Sequence, residues 1–329
     1  MLKDDIIMEL EKNRSIPLSG QYLADKYQVS RNAVWKTINS LISRGYDIKS
    51  KRNSGYYLDE GCDIISEQGI RCYLPDTAKD LKIRVYDVTD STNNEAKRLM
   101  IDDDIDQMLL IANEQTGGRG RLGRSFFSPA DTGIYMSLII RIPGGIKSPM
   151  LITMAAAVAV VRTIEKFTDI RPGIKWVNDI FVEDRKVCGI LTEAVTDLES
   201  GVAERAVVGI GINVKNGDFP DELKSIASSV YFENITRNQI IAEIVKNLLM
   251  LYKTPLSSDF MSEYIEHNIV VGKRVKYERY ISDDPLKPSY IDKEGTIRGI
   301  ANDGALIVES DDGEEDKIFT GMIELCKKE

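Results

Sequence analysis

The sequence predicts an α+β chain in three parts. A winged helix-turn-helix occupies residues 1–62, a mixed α/β domain with a β-sheet flanked by helices residues 63–268, and a small SH3-like β-barrel residues 269–329. Three observations predict this. The first sixty residues show helical periodicity and close on a basic hairpin pattern, the middle alternates strands with helices, and the last sixty alternate in short strands. A length of 329 residues itself calls for two or three domains.

In the first part, Ile6, Ile7 and Leu10 give an apolar stripe at helical spacing. Ser19 and Gly20 precede a short helix over Gln21–Tyr27. Ser30 then caps a second helix with Val34, Ile38, Leu41 and Ile42 on one face, ending at Gly45. Tyr46–Lys49 and Gly55–Leu58 flank the basic tip Lys51-Arg52-Asn53-Ser54, the pattern of a wing. Net charge over the chain is −9, yet between residues 26 and 52 Lys26, Arg31, Lys36, Arg44, Lys49, Lys51 and Arg52 face only Asp47. A basic patch on an acidic chain points to DNA. Ser30, Arg31, Asn32, Trp35 and Lys36 are expected in a major groove, with Lys51 and Arg52 on phosphates. The other reading of such a module is protein interaction with the positive charge merely solvated; separately, Trp35 equally suits packing into its own domain.

In the second part, Ile83, Val85 and Tyr86 mark a strand, and Thr92-x-x-Glu95 reads as a capping box opening a helix through Leu99. Met108–Ala112 is a strand. Ile134, Met136, Leu138 and Ile140 alternate as a half-buried strand does, and an Ala-rich helix covers Pro149–Phe167. Short strands follow near Ile180–Val182, Val187–Leu191 and Ala206–Ile212. In the third part, strands at Arg274–Tyr280, Gly295–Ile300, Leu306–Val308 and Ile318–Met322 are separated by turns at Asp303-Gly304 and Asp312-Gly313.

Composition is globular, 43% hydrophobic and 29% charged. No apolar run approaches the roughly 20 residues of a membrane span, and Met1–Asp5 has no signal-peptide core. A cytoplasmic location without a membrane partner is expected. Cys62, Cys72, Cys188 and Cys326 form no C-x-x-C pair, in keeping with a reducing compartment and no structural zinc. His267 is the single histidine and is expected to be structural, so chemistry must rest on Arg, Lys, Asp, Asn and backbone groups. No direct metal motif is present.

Three segments carry that chemistry. Gly118-Arg119-Gly120-Arg121-Leu122-Gly123-Arg124 sets arginines among glycines, a loop suited to closing over a multiply anionic ligand. Its match to a dinucleotide fingerprint is weak, because Ser125-Phe126-Phe127-Ser128-Pro129 propagates no helix. Lys175-Trp176-Val177-Asn178-Asp179 precedes a hairpin whose tip leads through Arg185-Lys186 to Gly189, where backbone is approached closely. Gly209-x-Gly211-x-Asn213 leaves a bare floor on one strand face, suited to a flat ring with Asn213 as amide partner.

These motifs, in this order and spacing, resemble biotin protein ligases, and with the winged helix in front they resemble the bifunctional BirA type, biotin ligase plus biotin-operon repressor. The resemblance covers essentially the whole chain and makes 63–268 the catalytic domain. It implies that Ser91, Thr92, Asn93 and Gln115 contact the biotin ring. Gly118, Arg119, Gly120 and Arg121 form the biotin loop, and Gly189 borders the same site. Arg121, Lys186 and Asp179 are the catalytic set: Arg121 holds the adenylate, Lys186 the biotin carboxylate and phosphate, and Asp179 helps receive the acceptor lysine. Arg124, Phe126, Lys175, Trp176, Asn178, Gly209, Gly211 and Asn213 form the ATP and adenylate side, with Phe126 on adenine where the family often has tryptophan. Val177 stands in place of the family's usual proline and Cys188 in place of a smaller residue.

The resemblance further implies ATP, biotin and Mg²⁺ as cofactors, Mg²⁺ arriving with ATP near Asp179. Implied partners are the biotin carboxyl carrier protein of acetyl-CoA carboxylase, operator DNA, and a second copy in an adenylate-bound homodimer whose surface includes Pro143-Gly144-Gly145. A ligand-sensing repressor without ligase activity and a lipoate-type ligase are the alternatives.

Overall fold

The structure is a computed structural model describing residues 1–102, 105–146, 148–196, 203–253, 259–280, 290–319 and 323–326. Helix α1 (Leu2–Lys12) turns Ile6, Ile7 and Leu10 onto a core of their own with Leu23 of α2 (Gly20–Lys26) and Val34, Ile38 and Leu41 of α3 (Arg31–Ile42). Ser19 and Ser30 cap α2 and α3 by accepting from the Tyr22 N–H at 3.0 Å and the Ala33 N–H at 3.2 Å. Strands β1 (Ile48–Lys51) and β2 (Gly55–Leu58) pair antiparallel as the wing.

The central domain runs α4 (Glu67–Arg71), β3 (Lys82–Thr89), α5 (Thr92–Asp102), β4 (Gln107–Gln115), β5 (Gly133–Ile146), α6 (Pro149–Phe167), β6 (Gly173–Lys175), β7 (Asp179–Val182), β8 (Arg185–Thr196), β9 (Ala203–Asn213), α7 (Asp221–Lys224), α8 (Arg237–Lys253) and α9 (Asp259–Glu266). Its sheet has the order β3-β4-β5-β9-β8-β7-β6, with β3–β4 the parallel pair, so it is mixed as expected. Ile134, Met136, Leu138 and Ile140 of β5, Ile190 of β8, and Val208, Ile210 and Ile212 of β9 enter the core that buries α6 and α8. The two-residue period of a strand then puts Ser137, Gly189, Leu191, Glu193, Gly209 and Gly211 on the opposite face. Part of that face is covered by Ala96 and Leu99 of α5, packed with Leu110, Ile139 and Val207. The remainder holds the site.

Three expectations are corrected. Strands β8 and β9 are not short but span 12 and 11 residues, because their glycines interrupt the apolar run without interrupting the hydrogen-bond ladder. Thr92-x-x-Glu95 is not a capping box: the Glu95 N–H bonds the Ser91 carbonyl at 2.9 Å, which makes Ser91 the cap, while the Glu95 carboxylate binds Arg98 at 3.0 Å. The strand expected over Ile318–Met322 ends at Ile318, and Met322 lies outside the described residues.

The C-terminal part comprises β10 (Arg274–Tyr280), β11 (Tyr290–Ile300), β12 (Leu306–Ser310), β13 (Glu315–Ile318) and β14 (Ile323–Leu325), an antiparallel sheet ordered β13-β12-β11-β10-β14. Its Val275, Tyr277, Ile297, Leu306 and Val308 share one continuous core with Ile152, Ile174 and Trp176 of the central domain. His267 is held by the Glu263 carbonyl at 2.9 Å and the Glu165 carboxylate at 2.8 Å, and its own carbonyl accepts from the Ile174 N–H at 2.7 Å, contacts that suit a structural role. The cysteines are free, and no helix among the described residues is long and apolar enough to cross a membrane. Of the expected dimer surface, Pro143, Gly144 and Gly145 belong to β5, and the Pro143 side chain lies outside the described residues.

The winged helix meets the central domain through Asp4 on Gln68 at 2.9 Å and Glu11 on Asn238 at 3.4 Å, and directly after it Asp63 pins the chain to the ligase sheet. Its carboxylate accepts from the Arg237 backbone N–H at 2.7 Å, from Arg237 Nε at 2.9 Å and from Lys215 Nζ at 2.7 Å. Arg237, 3% exposed, also donates to the Gly133 carbonyl and Asn113. Removing one partner of a buried pair strands the other charge. Asp63→Ala is therefore expected to lower stability by about 3–5 kcal/mol, read from the urea midpoint at unchanged m.

Candidate functional site

Strand register assembles the recognition pocket. Ser137 lies opposite Gly209 across β5–β9, and Leu191 and Gly189 lie opposite Gly209 and Gly211 across β8–β9. With no Cβ at these glycines, neighbouring side chains come down onto the backbone. A Cβ on Gly211 would sit 2.6 Å from the Phe126 ring, and one on Gly209 would strike Asn93 Oδ1. The expected bare floor is thus covered by the chain's own Phe126 and Asn93, since a close-packed interior leaves no such surface open.

Above that floor runs a continuous hydrogen-bond chain. Lys97 Nζ binds Glu193 at 2.8 Å, and Glu193 accepts from Asn93 Nδ2 at 2.9 Å. The Ser137 hydroxyl lies 2.6 Å from Asn93 Oδ1 and 2.7 Å from Thr92 Oγ1. The Thr92 N–H donates to Gln115 Oε1 at 2.8 Å, Gln115 Nε2 to Ser128 Oγ at 3.0 Å, and Ser128 Oγ to the Phe126 carbonyl at 2.9 Å. Thr92, Asn93 and Ser137 are buried, so each polar group is fixed in direction rather than free to turn. Burial alone would raise the Glu193 carboxyl, but its bonds to Lys97 and Asn93 outweigh that and hold it below the usual glutamate range. Sequence reasoning found Ser91, Thr92, Asn93 and Gln115 and missed Lys97, Ser128, Ser137 and Glu193. A lone serine in the apolar strand Ile134–Ile140 was the one available signal.

The Arg/Gly segment closes on itself, with the Gly120 N–H bonded to the Arg124 carbonyl at 2.7 Å and the Phe126 N–H to the Gly118 carbonyl at 2.9 Å. Gly118 stands behind the pocket, where a Cβ would lie 2.6 Å from Ser128 Oγ. Arg119, Gly120 and Arg121 line the pocket together with Ser91, Thr92, Asn93, Gln115, Lys186, Gly189, Gly209 and Gly211. Arg121 reaches across to Asn178 Oδ1 at 3.2 Å, and burial pushes its guanidinium below its ordinary pKa. Lys186 Nζ lies 2.6 Å from Asp179 Oδ1.

Beyond this clamp a cavity of about 520 Å³ opens between the central domain and the C-terminal sheet, bordered by Arg121, Arg124, Lys175, Asp179, Lys186 and, from β14, Glu324. A third, apolar space of about 410 Å³ is walled by Phe126, Phe127, Phe181, Phe219 and Leu223. Asn213 borders that space rather than the recognition pocket, its Oδ1 accepting from Asn216 Nδ2 at 3.1 Å. Trp176 is buried, its indole N–H donating to the Gly304 carbonyl at 3.0 Å. Four cations around one cavity call for an anion carrying several charges. Among the described residues, no group of three or more His, Cys, Asp or Glu side chains is placed to hold a metal.

At the far end of the molecule, Ser30, Arg31, Asn32, Trp35, Lys36, Lys51 and Arg52 are all exposed. Arg31, Asn32 and Trp35 of α3 face Lys51 and Asn53 of the wing across a groove of about 620 Å³. Trp35 is 53% exposed and is not packed into its own domain.

Known proteins resemble the chain along its length. Residues 3–57 match the HTH domain family, residues 85–213 the Biotin/lipoate A/B protein ligase family, and residues 292–325 the Biotin protein ligase C terminal domain. A solved biotin protein ligase from Aquifex aeolicus in complex with biotin and ATP shares the fold, with TM-score 0.59 and 24% identity over 75% of this chain and 99% of that one. The bifunctional ligase/repressor BirA of Escherichia coli is 28% identical over 89% of this chain and 88% of its own. That of Bacillus subtilis is 33% identical over 98% of each chain, and by that measure the sequence belongs to the bifunctional ligase/repressor family of biotin protein ligases.

Proposed function

We propose that this biotin ligase and repressor makes biotinyl-5′-adenylate in the pocket between the Arg/Gly segment and β9, passes biotin to a carrier lysine, and represses from the winged helix with the adenylate as corepressor. The observation that carries the reading is the juxtaposition of the directed Asn93–Ser137–Thr92–Gln115 chain with the Arg121–Asn178 and Lys186–Asp179 pairs. A cyclic urea has N–H donors and a carbonyl acceptor, and the first set offers fixed acceptors and hydroxyls to meet both. Its valeryl carboxylate then points to Arg121 and Lys186.

The biotin carboxylate attacks the α-phosphorus of ATP, a C–O–P bridge forms, and diphosphate leaves. Two negative groups at ~4 Å repel by roughly 4 kcal/mol at an effective dielectric of about 20, and Arg121 and Lys186 offset that repulsion. A metal arriving on ATP needs one or two protein carboxylates at most, and Asp179 beside Lys186 supplies one. Mg²⁺ would neutralise phosphate charge there. The segment 118–124 then shields the mixed anhydride from water. A neutral carrier lysine attacks the acyl carbon, AMP departs, and Asp179 takes the proton while proximity supplies most of the acceleration. Arg124, Lys175 and Asn178 serve the nucleotide side, with Phe126 where the pockets meet, Asn213 by the adjoining apolar space, and Trp176 held behind them by its N–H. The carrier is the biotin carboxyl carrier protein of acetyl-CoA carboxylase. Adenylate binding favours a homodimer whose two winged helices read a two-fold operator.

Incubation with ATP, labelled biotin and a carrier domain is expected to label the carrier. Label kept as adenylate without transfer would leave a sensor, and label from lipoate but not biotin would make the chain a lipoate-type ligase. Arg121→Ala and Lys186→Ala are each expected to slow adenylate formation by about 10²–10³-fold, and full activity in both would overturn the assignment.

Because Glu193 is held below its ordinary range, its contribution is complete above the unfolded glutamate pKa and fades as the pH falls through the folded one. Affinity for biotin methyl ester, which carries no carboxylate, should be flat above about pH 5 and decline in acid. Glu193→Gln should bind several-fold more weakly at neutral pH and lack the acid decline. For the winged helix, Lys51→Ala combined with Arg52→Ala should reduce the log K against log salt slope on mixed-sequence duplex DNA by about two. An unchanged slope would remove the wing from the DNA contact.

A further inference from the structure

The segment Lys175–Asp179 carries two members of the clamp, Asn178 and Asp179, yet most of its anchors come from outside its own hairpin. Asn178 Nδ2 donates to the Ile190 carbonyl at 2.9 Å. The Val177 carbonyl accepts from Tyr264 Oη of α9 at 3.1 Å, and Tyr264 is fully buried. The Trp176 indole N–H donates at 3.0 Å to the carbonyl of Gly304, in the turn between β11 and β12 of the C-terminal sheet.

That turn is itself locked. Ser148 Oγ, at the start of α6, donates to the Asp303 carbonyl at 3.0 Å. Gly304 has φ +90°, and a Cβ there would lie 2.9 Å from the sulfur atoms of both Met150 and Met154. Only glycine serves both the left-handed backbone and that contact. The same sheet sends Ile323 and Glu324 of β14 to the cavity bordered by Arg121, Asp179 and Lys186.

We propose that the Gly304 turn of the C-terminal sheet, acting through Trp176, and Tyr264 of α9, acting through the Val177 carbonyl, are positioning elements that present Asn178 and Asp179 to Arg121 and Lys186. The C-terminal sheet is then a structural member of the adenylating clamp, and its attachment sets the adenylation step independently of biotin recognition. Neither Tyr264 nor Gly304 touches substrate. Each acts through the backbone or ring of the segment that does. A hydrogen bond from a buried side chain fixes direction as well as distance, and a small misplacement of a reacting group costs far more in rate than in binding.

The inference rests on the adenylation reading, so the test separates the two. In the full-length chain, Trp176→Phe keeps an aromatic side chain but loses the indole N–H and part of the ring volume, and Tyr264→Phe, the cleaner variant, removes only the hydroxyl. Biotin affinity in the absence of ATP is measured by calorimetry, and adenylate formation by diphosphate release. Each variant is expected to bind biotin within twofold of the parent while its adenylation kcat falls roughly tenfold. The Trp176→Phe loss should also shrink when it is introduced into Asp179→Asn, because part of it acts through that carboxylate. Normal adenylation in both variants would overturn the proposal. So would a parallel loss of biotin affinity, or full additivity with Asp179→Asn. A parent chain that releases no diphosphate with biotin and ATP would instead overturn the adenylation reading itself.

Discussion

Positive charge gathered in a partly dry place is the condition on which the rest of the molecule depends. Arg121, Arg124, Lys175 and Lys186 border one cavity, with Asp179 and Glu324 as the carboxylates that share it. Like charges gathered on one cavity repel, and burial by itself pushes the Arg121 pKa down. The arrangement holds because each cation is given either a partner or a route to solvent: Arg121 leans on the Asn178 amide and Lys186 on Asp179. A ligand bearing a carboxylate and phosphates relieves that repulsion more completely than the protein does alone. The clamp is therefore poised toward its substrates rather than merely shaped for them.

Around this charged centre the recognition pocket follows a different logic. Thr92, Asn93 and Ser137 at its centre are neutral and buried, and their use is to be unambiguous. Asn93 has its donor nitrogen committed to Glu193 and Leu191 and its oxygen facing Ser137, so the amide has one orientation. Glu193 remains charged at neutral pH because Lys97 compensates it. Selectivity for a ring with fixed donors and acceptors comes from such commitment, since a mismatched ring leaves buried groups unsatisfied.

Much of this was legible from the residues in order. The Ala-rich run gave α6 to the residue, Ser30 gave the cap of α3, and alternation over Ile134–Ile140 gave the buried face of β5. The charged motifs located the clamp because arginine among glycines has few other uses. Illegible were the features created by pairing across long separations. Glu193 meets Asn93 from 100 residues away, and Tyr264 meets Val177 from 87. No local pattern announces either. Adjacent Ser91 and Thr92 both qualify as caps by composition, and only tertiary demand on the Thr92 hydroxyl by Ser137 and Gln115 decides between them. The floor over Gly211 looked open because a sequence does not show where the Phe126 ring comes to rest.

The seam at Asp63 bears on how such a chain could shed its N-terminal module in evolution. The carboxylate there is the nearer of two that face Arg237, Asp131 standing at 3.8 Å, and it also draws in Lys215, two residues past the end of β9. An excision that took Asp63 with the module would strip its nearest carboxylate from a guanidinium that is 3% exposed. A descendant trimmed short of that point keeps the carboxylate and needs no repair, whereas one trimmed past it would need a compensating change near position 237, a scar that would mark where the cut fell.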